Sequence, residues 1–249
     1  MRNAPRKAFA TFFTFLLVTS LALASDPPWK GKPYQQWDDK DIQRVFNDSP
    51  WARKTTITRT WGAVTQKDLP NPQLSGAGKG MPNSQGPAGN SQGAVNDPSA
   101  SELIINVFWA SSRVVRAASA RKAILHGGKT DLDVEKYAAA PQDEYQIVIE
   151  SEDMAPFVRH DEKFFQANSF LETKKTKQKI SPSHVVYERN EKTQMVTTAI
   201  FFFPKMSASG DPAIASDEKS VEFNCKLEGT NMRVNFEPQK MADNQGPAL

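Results

Sequence analysis

The hydrophobic pattern is strongest over residues 102–150, where a strand, a helix, a second short helix and another strand follow one another. In Glu102–Ala110, apolar side chains occupy both alternating faces of a strand. One face carries Leu103, Ile105, Val107 and Trp109, and the other carries Ile104, Asn106, Phe108 and Ala110. A strand with two apolar faces is covered on both sides, so we expect it near the middle of a sheet.

A helix follows this strand within two residues. Ser111-Ser112 offers a hydroxyl N-cap, and Gly127-Gly128 supplies the left-handed residue that ends a helix. We therefore expect a helix over Arg113–His126. At about 100° per residue, one arc of this helix collects the apolar side chains that should pack on the sheet, which are Val114, Ala117, Ala118, Ile124 and Leu125.

Three arginines on this helix are candidates for a binding site. Arg121 falls inside the apolar arc, and Arg116 lies roughly 140° around the helix from it, with Arg113 between them. A guanidinium at the rim of an apolar face pairs with a carboxylate or an anionic ligand, or lays its stem on apolar surface and keeps its head in water. The Ser112 hydroxyl stands at a helix N-terminus, where an oxyanion is also stabilised. Ser112, Arg113 and Arg121 are our candidate ligand-binding residues.

The next two elements are shorter. Thr130-Asp131 predicts the start of a second helix, which Pro141 ends. Glu144–Glu150 follows as a strand, and its second face is half polar because it carries Gln146 and Glu150. This pattern favours a position nearer an edge, or one that lets Glu150 meet an arginine of the first helix.

The C-terminal part of the chain predicts two antiparallel hairpins. Ser183–Arg189 and Met195–Phe203 flank one polar connection, and Val221–Leu227 and Met232–Phe236 flank another. The polar tail from Pro238 predicts a frayed end.

The first 24 residues have the three parts of a secretory signal peptide. Basic residues precede the apolar run Ala8–Leu23, and Ala22-Leu23-Ala24 forms an A-x-A cleavage site. We expect cleavage after Ala24 and a periplasmic or secreted mature protein. An uncleaved membrane anchor is the alternative, because the run is close to the lower length limit for a span.

Cleavage changes the charge balance. It removes Arg2, Arg6 and Lys7 and leaves 28 basic against 28 acidic residues, so the overall charge gives no reason to expect a nucleic-acid partner.

The chain has a single cysteine, Cys225, so it cannot form an internal disulfide. Its alternation with Val221 and Phe223 predicts a buried thiol.

The segment after the signal is rich in tryptophan. Asp38 and Asp41 predict a capped helix start, and Thr55–Trp61 predicts an edge strand. Four tryptophans suit either a carbohydrate- or peptide-binding surface or a structural role, and we favour the structural role. They are Trp29, Trp37, Trp51 and Trp61.

Residues 70–101 are rich in Pro, Gly, Asn and Ser, which predicts a disordered linker or insertion.

Motifs for catalysis are weak. His126, His160 and His184 are the only histidines, and none has the spacing of a metal site. Ser111-Ser112 occupies a strand-to-helix turn, as a nucleophile would, but the G-x-S-x-G motif is absent and helix capping explains both serines. We therefore expect no catalytic residue, cofactor or metal.

Several short motifs occur together with the signal peptide. They are Lys32-Pro33-Tyr34 before Trp37, Asn47–Ala52, and Phe108–Arg113 with Arg116. In these segments the chain resembles uncharacterised exported proteins of soil bacteria. The resemblance covers the Trp-rich segment and the first strand-helix unit, and it brings no activity, ligand or functional residue with it.

Together these patterns predict an α+β fold in which a mostly antiparallel sheet packs against one main helix. The expected division is a signal peptide (1–24), a Trp-rich segment packed on the main domain (25–69), a linker or insertion (70–101), a core domain (102–237) and a frayed tail (238–249).

The favoured function is a non-enzymatic binding or envelope-associated domain. Its partner would contact the Trp-rich segment, a sheet edge or the helix N-terminus. The alternative is an exported hydrolase that uses Ser112 or a histidine with a nearby carboxylate. We expect no transmembrane segment once the signal is cleaved.

Overall fold

A computed structural model describes residues 26–58, 102–227 and 230–249. The predicted signal peptide, the predicted linker and Trp61 lie outside the described residues.

The described strands make two antiparallel sheets and a short ribbon. In chain order the strands are β1 (Ala52–Thr58), β2 (Glu102–Trp109), β3 (Glu144–Ser151), β4 (Ser169–Thr173), β5 (Lys179–Ile180), β6 (His184–Arg189), β7 (Val196–Pro204), β8 (Val221–Leu227), β9 (Thr230–Phe236), β10 (Ala242–Asp243) and β11 (Gly246–Pro247). The five-stranded sheet has the order β1-β2-β3-β7-β6, the four-stranded sheet has the order β5-β4-β8-β9, and β10 pairs with β11.

Helices connect and cover these strands. They are α1 (Pro28–Gly31), α2 (Asp39–Asn47), α3 (Arg113–Gly127), α4 (Val134–Ala139), α5 (Ala155–Val158) and α6 (Glu162–Asn168), with 3-10 turns at Tyr34–Gln36 and Pro238–Lys240. The predicted α+β class with antiparallel sheets is confirmed, and the strands divide between two main sheets where we expected one.

The core lies on the inner face of the five-stranded sheet, which meets the four-stranded sheet. On β2 this inner face carries Leu103, Ile105, Val107 and Trp109, all buried. The ring centroids of Trp109 and Phe236 lie 5.2 Å apart, and those of Phe201 and Phe223 also lie 5.2 Å apart.

Cys225 is buried as predicted, and burial raises the pKa of its thiol to about 12.

The opposite, outer face of the five-stranded sheet is only partly covered. Phe108 on β2 is buried, but Ile104 on the same face is 57% exposed. The prediction that β3 lies near an edge is wrong, because β3 is the central strand of this sheet. One face of β3 is half polar because it belongs to the partly exposed outer face of the sheet. Polar residues on that face therefore do not indicate an edge strand.

The helix α3 begins and ends where its caps predict. The Ser112 hydroxyl accepts a hydrogen bond from the Val115 amide, and Gly128 is left-handed with φ 68°. Val114 and Ala118 are fully buried, which confirms the predicted packing face of the N-terminal half. The next helix begins later than predicted, since Asp133 is its N-cap.

The Trp-rich segment contributes to the same core. Trp29, Trp37 and Trp51 are all buried, and Asp38 with Asp41 forms the predicted capping box of α2. The strand β1 lies at a sheet edge, as predicted.

The expectation of a frayed tail from Pro238 is wrong. Met241 and Ala248 are buried, and the Trp51 indole donates a hydrogen bond of 2.6 Å to the Ala248 carbonyl. Few apolar residues occur in this tail, so its order depends on long-range contacts that its composition does not show.

Candidate functional site

The predicted candidates Ser112 and Arg113 lie at the N-terminal end of α3. Ser112 is fully buried, and its hydroxyl oxygen accepts the Val115 amide at 3.1 Å. The Arg113 guanidinium pairs with the Asp243 carboxylate through bonds of 2.8 and 3.2 Å. Both candidates therefore have partners within the protein.

Asp243 is the centre of a polar cluster that we call the Asp243 anchor, made of Tyr34, Arg113 and Asp243. The Tyr34 hydroxyl donates to Asp243 Oδ2 at 2.6 Å, and the Gln245 amide donates to Oδ1 at 2.8 Å. Burial alone would raise the pKa of the Asp243 carboxyl, but these hydrogen bonds and the charge of Arg113 together hold that pKa below its usual range.

The other two arginines bond to backbone carbonyls. Arg121 donates from Nε and Nη2 to the Trp37 carbonyl at 3.0 and 2.9 Å. Arg116 donates to the Ala138 and Ala140 carbonyls at 3.0 and 2.5 Å. The predicted candidates Ser112, Arg113 and Arg121 thus make contacts within the protein, and the prediction that they bind a ligand stays a prediction.

A groove of about 560 Å³ lies at the other end of the same helix, between α2, α3 and the outer face of β2 and β3. We call it the α3 groove. Its lining residues are Gln43, Phe46, Asn47, Asn106, Phe108, Ser119, Lys122, Ala123, His126, Gly127 and Glu150. Its volume falls in the range of small-molecule sites.

The apolar part of the groove is a pair of phenylalanines. The ring of Phe46 on α2 meets the ring of Phe108 on β2 edge to face, with centroids 5.5 Å apart. Phe46 follows Ile42 and Val45 on the apolar face of α2, and Phe108 lies on the outer face of β2. The groove therefore joins an aromatic surface to polar side chains.

The polar part of the groove carries both signs of charge. Lys122 lies over the Phe46 ring at 5.8 Å and lowers the pKa of Glu150 by its charge. Desolvation is the larger effect on Glu150 and raises the pKa of its carboxyl, with a further contribution from Glu188. An ammonium group on the helix thus faces a partly desolvated carboxylate on the sheet.

A histidine-carboxylate pair lies at the mouth of the groove. His126 Nε2 is 2.5 Å from Asp39 Oδ1, and both side chains are more than half exposed. His126 lines the groove from the last turn of α3, and Asp39 belongs to the first turn of α2. The pair joins two of the groove's three walls.

The remaining histidines lie elsewhere. His160 stacks on Phe164 with centroids 3.8 Å apart, and His184 stacks on Phe202 with centroids 4.1 Å apart. Ser183 contacts both His184 and Glu144, so the serine, and not the histidine, is the central residue of that trio. Within residues 26–58, 102–227 and 230–249, no group of histidine, cysteine and carboxylate side chains has the arrangement of a metal site.

Reasoning from the sequence missed the α3 groove because its walls come from segments far apart in the chain. One signal was present, namely the polar Glu150 on an otherwise apolar strand. As the alternative to an edge position, we expected Glu150 to meet an arginine of the first helix, and it instead lines the groove with Lys122 of that helix.

Comparison with protein family models, with curated proteins and with solved structures gives no match for this chain. Among the helices of the described part, none combines the length and the apolar content that crossing a membrane requires. The α3 groove is therefore the main guide to the function of this chain.

Proposed function

We propose that this chain is an exported, non-enzymatic binding domain whose α3 groove takes a small zwitterionic ligand, such as an amino acid or a short peptide. The observation that carries the proposal is the opposition of Lys122 and Glu150 across a groove with an aromatic floor.

The chemistry of the groove defines the ligand class. An anionic group of the ligand would pair with Lys122, and an ammonium group would pair with Glu150. An apolar side chain would lie on Phe46 and Phe108, which meet edge to face. A ligand with one charge would pair with only one of Lys122 and Glu150, so it should bind more weakly than a zwitterion of similar size.

A binding role is favoured over serine hydrolysis because Ser112 is unsuited to nucleophilic attack. Its side chain is fully buried and its oxygen accepts the Val115 amide. A nucleophile needs an adjacent base and access to substrate. The described hydrogen-bond partners of Ser112 are backbone groups of Trp109, Val115 and Arg116, and none of these groups is a base.

The test is calorimetric titration of the mature protein with a panel of free amino acids and dipeptides. Each dipeptide is paired with its N-acetylated, C-amidated form. We expect binding to the free forms and at least about tenfold weaker binding to the blocked forms, since a factor of ten corresponds to about 1.4 kcal/mol. The variants Lys122→Gln and Glu150→Gln should each weaken binding by a similar factor.

The matched controls are Lys192→Gln and Glu191→Gln, exposed residues of the turn between β6 and β7. They remove the same charges away from the groove and should leave affinity unchanged. Failure of every panel member to bind, or binding that ignores both groove variants, would overturn the proposal.

A second candidate is a hydrolase that uses a histidine with a nearby carboxylate. The contact between His126 and Asp39 favours it, because a carboxylate orients a histidine that acts as a general base. A screen of ester, amide and glycoside substrates tests it. Turnover that His126→Gln abolishes, with the melting temperature unchanged, would replace the binding proposal with this one.

A further inference from the structure

A row of apolar side chains crosses the outer face of the five-stranded sheet. Val148 on β3 pairs with Ile200 on β7, and Ile200 pairs with Val186 on β6. Directly opposite residues of antiparallel strands share a face. Phe202, two positions along from Ile200, lies on the same face. We call these four residues the outer-face stripe.

The stripe is accessible. Val186 is 40% exposed, and Val148, Ile200 and Phe202 are each half-buried. None of these residues belongs to the hydrophobic core cluster or packs against it. The stripe ends at β6, which is an edge strand of the sheet.

Carboxylates border the stripe. Glu150 and Glu188 lie on the same outer face, on either side of Thr198, in the row next to Val148 and Val186. Glu144 lies beyond the other side of the stripe, where Ser183 donates to it. The outer-face positions of β3, β6 and β7, all within the described chain, include no lysine or arginine, and His184 is stacked on Phe202.

Desolvation is the main cause of the raised pKa of Glu150, Lys122 opposes it, and the charge of Glu188 adds to it. Glu150 and Glu188, on either side of Thr198, therefore also repel each other across β7. A cationic partner would relieve this repulsion.

We propose that the outer-face stripe docks a basic amphipathic helix of a partner protein. Its apolar side would lie on Val148, Ile200 and Val186, and its basic residues would pair with Glu150 and Glu188. Three strands about 4.8 Å apart span about 10 Å, which matches the width of one helix.

A second copy of this chain fits the stripe less well. A two-fold contact brings the same patch of both subunits together, so the interface would contain Glu150 and Glu188 of both copies, and the described outer-face positions of β3, β6 and β7 offer no lysine or arginine to pair with them. Like charges at an interface disfavour association. The proposal does not require a ligand in the α3 groove, although the two sites share Glu150.

The test is fluorescence polarisation of the mature protein with a labelled Leu/Lys helix of about 18 residues, or five turns. Two control peptides are a Leu/Glu helix and a Leu/Lys peptide of the same composition with leucines on all sides. We expect binding of the amphipathic Leu/Lys helix, and binding at least about tenfold weaker for both controls.

Protein variants then locate the contact. Val186→Ser and Glu188→Gln should each weaken binding by about three- to tenfold, because one removes exposed apolar surface and the other a paired charge. The controls are Met206→Ser, which removes an apolar residue 52% exposed in the loop after β7, and Glu191→Gln. Lys122→Gln removes the cation that faces Glu150, so it should not weaken peptide binding, whereas it should weaken binding of the dipeptide to the groove.

Equal affinity for the Leu/Lys and Leu/Glu helices, or unchanged affinity in both stripe variants, would overturn the proposal. So would a dimer in sedimentation velocity that Val186→Ser dissociates, because the stripe would then be a contact between copies of this chain. Circular dichroism of each variant confirms that it is folded.

Discussion

The two ends of helix α3 carry similar side chains that serve different purposes. At the N-terminal end, Ser112 caps the helix and Arg113 pairs with Asp243. At the C-terminal end, Lys122 and His126 line a groove. Both ends have a carboxylate partner, but the Asp243 side chain is fully buried against Arg113, whereas His126 and Asp39 are more than half exposed beside the groove. Residue type alone therefore does not identify a binding site; the burial of the side chains and the space beside them also have to be known.

The largest expected effect is at the Asp243 anchor. Asp243→Ala leaves Arg113 and Tyr34 without their acceptor in a buried setting. We expect a loss of about 3 kcal/mol in the free energy of unfolding, the low end for a broken buried pair, because Arg113 is 28% exposed. Urea unfolding at neutral pH measures it.

The control for this variant is Asp131→Ala, which removes an exposed carboxylate. It should change stability by less than about 0.5 kcal/mol. An Asp243→Ala effect of the same small size would show that the two ends of α3 do not differ as described.

The pH dependence of the anchor is the next effect. The pKa of Asp243 is lowered in the folded protein, so its stabilising contribution is fully present above the unfolded value of about 3.9. That contribution is lost as the pH falls through the lower folded value. The stability difference between the wild type and Asp243→Asn, followed by urea unfolding, should therefore shrink below about pH 4. A difference that stays constant into acid would contradict the assigned ion pair.

Ser112→Ala should cost about 1 kcal/mol, the usual value of an N-cap. The loss is expected because the Ser112 oxygen accepts the Val115 amide. Thermal unfolding measures it, and ligand binding to the α3 groove should not change. A variant of unchanged stability that loses binding or turnover would restore Ser112 as a functional residue.

The smallest expected effect is a gain in stability. The pKa of Glu150 is raised in the folded protein, chiefly by desolvation, so its ionisation opposes folding above the unfolded value of about 4.3. Glu150→Gln should slightly raise the melting temperature at neutral pH and have no such effect below about pH 4. Destabilisation at neutral pH would indicate a structural role for this carboxylate.

Local signals in the sequence predicted local structure well. The capping box of Asp38 and Asp41, the N-cap Ser112 and the left-handed Gly128 each depend on residues a few positions apart. The burial of the inner face of β2 was also predictable because its side chains are all apolar, but the expectation that both faces are covered was wrong, since Ile104 on the outer face is 57% exposed.

The long-range features were not predictable. Arg113 and Asp243 are separated by 130 positions, so no local pattern links them or reveals that the tail is ordered. Likewise, Phe46, Phe108, Lys122 and Glu150 come from four different elements, and only the packing of α2 and α3 on the sheet brings them together. The predicted edge position of β3 was wrong for a related reason, because the exposure of the sheet's outer face depends on where the helices pack.

An amide NMR titration of the mature protein with a dipeptide that has free termini tests most directly whether the α3 groove is the binding site. We expect chemical-shift changes at residues 43–47, 106–108 and 119–127, and at Glu150. We expect no change at Arg113, Asp243 or Tyr34. Shifts confined to the Asp243 anchor, or no shifts with any free dipeptide or amino acid of the panel, would contradict the assignment of the α3 groove as the binding site.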